Sequence, residues 1–247
     1  MKKVAISFFT FFTCVSTFFA QQQQQWNPAS TEWYSPVPPK VQPGVGAKPP
    51  SDAIILFDGK DLSKWESSRR VAEGQKPDPA PWKIVNGEMY VIPGTGGIQT
   101  KEYFGDCQLH IEFKLPLSDA EHGNSGVHLQ GRYEVQIIDG DYPTYVNGMV
   151  GSIYKQSAPL VNAYTKNGEW QVYDIYWKAP KFDGDGLVEP AAITVIMNGI
   201  IIQNNFILKG HTPYTGLPRY VPHGRLPLVL SEHGSEVAFR NIWIRNL

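Results

Sequence analysis

Cys107-Gln108-Leu109-His110-Ile111-Glu112-Phe113-Lys114-Leu115 sets the fold class, because its apolar residues fall on every second position. A period of two puts Cys107, Leu109, Ile111, Phe113 and Leu115 on one face of a strand and Gln108, His110, Glu112 and Lys114 on the other. Such alternation belongs to an antiparallel sheet with one face on a core and one toward water. Tyr133-Glu134-Val135-Gln136-Ile137 repeats the pattern, and Asn198-Gly199 joins two β-branched runs between Ile193 and Gln203 as a two-residue hairpin turn does. Shorter apolar runs bounded by Gly, Pro and Asn predict strands at 54–57, 82–85, 89–92, 126–130, 151–154, 172–177, 226–230 and 237–244. No stretch of ten residues after Asp52 holds a 3.6-residue apolar period, so the chain reads as all-β, a jelly-roll sandwich of two antiparallel sheets.

The 247 residues carry 22 Lys and Arg against 23 Asp and Glu, a net charge of −1. With no basic excess to grip phosphates, nucleic acid is excluded as a partner. Lys2 and Lys3 precede the apolar run Val4 to Ala20, the layout of a secretory signal peptide over residues 1–20. The reading is therefore of an exported chain, periplasmic or secreted, with no membrane span after cleavage. Residues 21–51, with five consecutive Gln and then Pro28, Pro36, Pro38, Pro39, Pro43, Pro49 and Pro50, read as a linker, and 52–247 as a single domain. Cleavage would also remove Cys14 and leave Cys107 without a disulfide partner, a small residue on the apolar face of its strand.

In a sandwich, function shows where alternation gathers polar side chains on one sheet face. Glu134 and Gln136 share a face, and Asp139 follows; carboxylates so spaced can flank a glycosidic bond at about 5 to 9 Å. Arg240 shares its predicted face with Ala238, Ile242 and Ile244, where a guanidinium needs a carboxylate partner, with Glu134 and Asp174 as candidates. His233, at a strand end before Gly234, is a candidate acid/base group. Other motifs fail: His122 and His128 lack a third ligand for a structural zinc site, and Gly94-Thr95-Gly96-Gly97 precedes no helix and cradles no phosphate.

The ordered series Leu56-Phe57-Asp58-Gly59, Trp82 with Asn86-Gly87-Glu88, Asn124-Ser125-Gly126, Tyr133-Glu134-Val135-Gln136-Ile137-Ile138-Asp139, Gly151-Ser152-Ile153-Tyr154, Gly168-Glu169-Trp170, His233-Gly234 and Phe239-Arg240-Asn241 resembles the motif series of the 3-keto-disaccharide hydrolase domain family. Ser231 and Glu232 stand where that family usually has Gln and Asp. The resemblance implies a concanavalin A-like jelly roll and a glycosidase-type hydrolase whose substrate is a glucoside or disaccharide oxidised to a ketone at carbon 3. Such a ketone acidifies the hydrogen on carbon 2, so a base removes it, the aglycone leaves carbon 1, and water adds back. The resemblance assigns proton transfer to Glu134 or His233, and oxygen stabilisation or positioning to Gln136 and Arg240. Asn124, Asp139, Tyr154 and Trp170 are its substrate-binding set. No cofactor is assigned; a divalent metal polarising the ketone would draw on Glu134, Asp139 and His233. Trp65, Trp82, Trp177 and Trp243 are expected in the core. The competing expectations are a non-catalytic sugar-binding module and an ordinary glycosidase using Glu134 and Asp139.

Overall fold

The computed structural model describes residues 27–247, which fall into two compact units. In the first, residues 27–40, Asn27 caps a short 3-10 turn at Pro28–Thr31 through its Oδ1, which accepts from the Ala29 N–H at 2.7 Å. The second unit, Val41–Leu247, holds every strand among the described residues. The signal-peptide reading lies outside the described residues. Residues 41–51, assigned to the linker by composition, fold with the second unit. Their prolines donate nothing to a sheet, but their carbonyls accept: the Ala47 oxygen receives Asn241 Nδ2 at 2.9 Å and Trp243 Nε1 at 3.4 Å. Among the described residues no helix is long and apolar enough to cross a membrane.

The strands in chain order are β1 (Ile54–Phe57), β2 (Trp65–Ser67), β3 (Lys83–Val85), β4 (Glu88–Tyr90), β5 (Ile98–Phe104), β6 (Cys107–Lys114), β7 (Ser125–Leu129) and β8 (Tyr133–Ile137). There follow β9 (Trp170–Lys178), β10 (Lys181–Asp183), β11 (Gly186–Glu189), β12 (Ala192–Met197), β13 (Ile200–Ile207), β14 (Leu226–Glu232) and β15 (Ala238–Asn246). An eight-stranded antiparallel sheet runs β13-β12-β9-β6-β15-β4-β3 with β1 also on β15, and a five-stranded one runs β2-β5-β14-β7-β8. β10 and β11 form a separate hairpin.

The alternation in β6 does what its sequence predicts: Cys107, Leu109, Ile111 and Phe113 are wholly buried between the sheets. They meet Tyr173 and Ile175 of β9, Phe239 and Ile244 of β15, and Val127, Val135, Ile137 and Leu230 of the smaller sheet. Each such side chain contributes about 1.5–3 kcal/mol by leaving water, so the two inner faces hold the sandwich together. Asn198 and Gly199, at φ 50° and 83°, turn β12 into β13 with the left-handed pair that a two-residue hairpin requires.

Three departures from the sequence reading have local causes. Residues 151–154 are not a strand, because Gly151 turns at φ 75°; the segment instead closes the edge of β8, with Ser152 O accepting from Gln136 N–H and Tyr154 N–H donating to Glu134 O. In β15, Asn241 at φ 46° lies in a bulge between Arg240 and Trp243, which resets the alternation. Arg240 and Trp243 both therefore face outward, opposite Glu112 and His110 of β6, and Trp243, though only 5% exposed, stacks on His110 and is not part of the cluster between the sheets. Trp65, Trp82 and Trp177 do fill the core.

Candidate active site

The small sheet's register assembles the site. β7 pairs with β8 through Gly126↔Gln136 and His128↔Glu134, and with β14 through Val229↔His128 and Ser231↔Gly126. Val127, Val135 and Leu230 point into the core, so alternation turns His128, Glu134, Gln136 and Ser231 together onto the outer face. Gly126, at their centre, supplies the room: a Cβ there would stand 2.5 Å from Glu134 Oε1.

Although outward, this face is covered. Glu134 and Gln136 are 7% and 5% exposed. Glu134 Oε1 lies 3.8 Å from His128 Nε2, and among the described residues its carboxyl makes no hydrogen bond. Burial pushes Glu134 up to about 8, so its protonated form dominates at neutral pH. Burial, with His233 near enough to repel a second positive charge, pushes His128 down to about 4 and keeps the imidazole neutral. The two titrations have been driven apart in the sense that makes one group an acid and its neighbour a base. Buried side-chain atoms without partners among the described residues are His128 Nε2, Gln136 Oε1 and Ser231 Oγ on this face, Ser152 Oγ in the bordering segment, and Asp119 Oδ2. A native fold seldom strands buried polar atoms, so their concentration beside Glu134 makes this face the candidate site.

Two loops frame the face. Tyr154 is buried beside Glu134, and its hydroxyl is 2.8 Å from that of Tyr145. Burial, the Tyr145 hydrogen bond and the charge of Glu134 hold its phenol above the ordinary range. On the opposite side Glu232 accepts from the N–H groups of Gly94, Gly96 and Gly234 at 3.1, 3.2 and 2.6 Å, tying the 92–97 loop to the end of β14. Burial opposes ionisation of Glu232, but those N–H groups outweigh it and its carboxyl titrates below the usual range.

Of the residues singled out in the sequence, the structure brings Glu134, Gln136, Tyr154 and the exposed His233 to this face, with Asn124 directly before the Ser125↔Glu232 pair at its end. Asp139 is held elsewhere: Oδ1 accepts from Asp141 N–H at 2.9 Å and Oδ2 from Asn167 Nδ2 at 2.9 Å, so both oxygens organise the loop after β8. Arg240 and Trp170 belong to the other sheet. Arg240 Nε donates to Glu112 Oε2 at 2.6 Å, and its guanidinium lies 4.0 Å over the Trp170 ring; its partner is neither Glu134 nor Asp174. A metal set of Glu134, Asp139 and His233 does not form, and among the described residues no three His, Cys, Asp or Glu gather as ligands. His128 is the residue the sequence concealed. Its signal is its place opposite Glu134, which needs the β7–β8 pairing as well as the alternation.

A family model described as the 3-keto-alpha-glucoside-1,2-lyase-like domain matches residues 52–245. The chain is similar to a provisionally assigned glycosyl hydrolase from Parabacteroides distasonis: the crystal structure shares 46% identity at a TM-score of 0.82, covering 90% of this chain and 97% of that one. Two further provisionally assigned glycosyl hydrolases from the same organism share 22% identity each, at TM-scores of 0.61 and 0.53. Each alignment covers 79% of this chain, and 94% and 99% of theirs, and at that identity they speak for the fold alone. No protein of curated function matches.

Proposed function

The chain belongs to the 3-keto-α-glucoside-1,2-lyase-like family, and from that membership we propose a carbohydrate-acting enzyme that cleaves glucosides oxidised at carbon 3, on the outer face of β7, β8 and β14. The observation that carries the reading is the secluded pair Glu134 and His128, 3.8 Å apart with no other side-chain partner among the described residues, whose burial favours the protonated acid and the neutral imidazole. Elimination across carbons 1 and 2 takes a proton from one atom and delivers one beside its neighbour, which an acid and a base side by side can serve.

In this reading His128 Nε2 takes the carbon 2 proton and the electron pair enters the enolate of the carbon 3 ketone. Gln136 and Ser231, flanking Gly126, supply donors to that oxygen. The enolate re-forms its ketone as the carbon 1 oxygen bond breaks, and Glu134 gives its proton to the departing aglycone. The site then holds imidazolium and carboxylate. Glu134 takes a proton from water as the water adds to carbon 1, and His128 returns its proton to carbon 2, which restores the couple and completes net hydrolysis. His233 and Tyr154 border this chemistry.

The test incubates the protein with a 3-keto glucoside bearing a chromogenic aglycone and with the parent glucoside, with and without chelator. Release from the keto compound alone supports the proposal. Release from both assigns an ordinary glycosidase, and binding without release assigns a sugar-binding module. Loss of release with chelator would add a metal to the reaction.

A further inference from the structure

Beyond the acid-base couple, the cleft carries a cation with no anion. Lys155 follows Tyr154 at φ 59°, a left-handed conformation that a side-chain-bearing residue rarely adopts. Its ammonium lies 4.5 Å from the centre of the Tyr214 ring, 5.4 Å from that of Tyr154 and 5.8 Å from that of Tyr145. Its hydrogen bond goes to the Tyr214 carbonyl, and among the described residues no carboxylate comes within ion-pair distance. An ammonium has three donors, so two remain unused. Lys114, also near aromatic rings, contrasts with it, for that ammonium is held by Glu88 at 2.8 Å.

Beside Lys155 opens a cavity of about 450 Å³, walled by Tyr145, Asn147, Pro213, Gly216, Leu217 and Pro218. It adjoins the acid-base couple through Tyr145, whose hydroxyl meets that of Tyr154 next to Glu134. Mostly apolar walls, with the Asn147 amide and one unneutralised cation, suit a planar ring carrying negative charge.

We propose that Lys155 is a specificity-determining residue and that its cavity receives the leaving-group side of the substrate, selecting an aromatic aglycone that bears a carboxylate. The assignment to the leaving-group side rests on the function proposed above; the selection of an aromatic carboxylate does not.

Calorimetric titration with 4-hydroxybenzoate and its neutral isostere 4-hydroxybenzamide tests the inference without any turnover. The wild-type protein should bind the carboxylate about tenfold more tightly, as expected for one charge-assisted contact. Lys155→Met should bind both alike, and Lys155→Arg should keep the preference. Equal binding of the two probes to the wild type, or a preference that survives in Lys155→Met, overturns the inference. The wild-type comparison needs no variant to fold. If the preference is found but no keto glucoside is cleaved, the catalytic reading falls and the anion pocket stands; cleavage without preference has the opposite meaning.

Discussion

The outer faces of the two sheets both bury titratable groups, and they treat them differently. On the large sheet, Glu112 accepts from Arg240 at 2.6 Å and Asn241 at 2.8 Å, His110 meets Asp174 at 2.7 Å, and the His110 ring stacks on Trp243 with centroids 5.1 Å apart. Burial opposes the charge on both groups, but these partners prevail: Glu112 falls to about 2 and His110 rises to about 9. That face also borders a cavity of about 680 Å³, larger than the one beside Lys155, yet Asp174 and Arg245 in its wall are already engaged, by His110 and Asp52. On the small sheet Glu134 is about as buried as Glu112, His128 keeps 20% of its side chain exposed, and beyond their 3.8 Å approach to each other neither side chain has a partner among the described residues. Burial and cavity size therefore do not separate architecture from chemistry here. What separates them is whether the buried polar groups have found partners.

Replacing the acid should break this contrast most severely. Glu134→Gln keeps the shape of the protonated carboxyl and removes its proton, so kcat/KM for a 3-keto glucoside should fall by about 10²–10⁴. Thermal unfolding at pH 7 should be unchanged or improved, since the buried carboxyl has no hydrogen bond to lose. Full activity in this variant would sink the site assignment.

Gly126→Ala is the next largest effect. The glycine is not among the residues at positive φ, so alanine fits its backbone, but the new methyl would stand 2.5 Å from Glu134 Oε1 and must displace it. A shift near 1 Å at a reacting group costs about 10²-fold, so kcat/KM should drop by about 10–100-fold with KM little changed. Steady-state kinetics beside a melting curve would separate this from unfolding.

Changes of pH should act more gradually, and on activity only through the small sheet. Activity needs Glu134 protonated and His128 neutral, so kcat/KM should hold a plateau between about pH 4 and about pH 8 and fall about tenfold per unit beyond each limb. Stability carries the same signature. The folded pKa of Glu134 stands above its ordinary 4.5, so the native state binds more protons than the unfolded chain between 4.5 and about 8, and stability declines as pH rises through that window. The His128 pKa is depressed from 6.5 to about 4, so its contribution is lost as pH falls across that interval. Denaturant titrations from pH 4 to 9 should show a shallower decline with rising pH in Glu134→Gln than in the wild type, the part that remains coming from His110 above pH 6.5.

How much of this was legible beforehand depends on the range of the information each residue needs. Alternation within β6, β8 and β9 is local, and with Asn198-Gly199 it was sufficient for an all-β sandwich. β5 was missed because Lys101, Glu102 and Tyr103 are exposed in succession, which erases the period of two. Glu134 and Gln136 were legible as neighbours on one strand. His128 was not, because its role comes from the strand opposite. Arg240 was misplaced for the complementary reason: local alternation cannot foresee the bulge at Asn241, which turned an expected site residue into the partner of Glu112.

That displaced arginine supplies the smallest effect on activity. Glu112→Gln should leave kcat/KM within about twofold, because no group of its network belongs to the acid-base face, and should cost stability, because the Arg240 charge loses its carboxylate. With Glu112 buried but Arg240 42% exposed and free to turn toward water, the cost belongs at the lower end of the range for a broken charged hydrogen bond, about 1–3 kcal/mol. Its pH dependence follows from the two partners. The folded pKa of Glu112 is lowered from 4.5 to about 2, so its stabilisation is present above pH 4.5 and lost as pH falls through 2. The folded pKa of His110 is raised from 6.5 to about 9, so its share is complete below pH 6.5 and lost as pH rises through 9. The stability gap between wild type and Glu112→Gln should therefore be widest between about pH 4.5 and 6.5, where wild-type Glu134 has already begun to lower stability. A gap that tracked catalytic activity instead would place Glu112 in the chemistry and erase the distinction between the two faces.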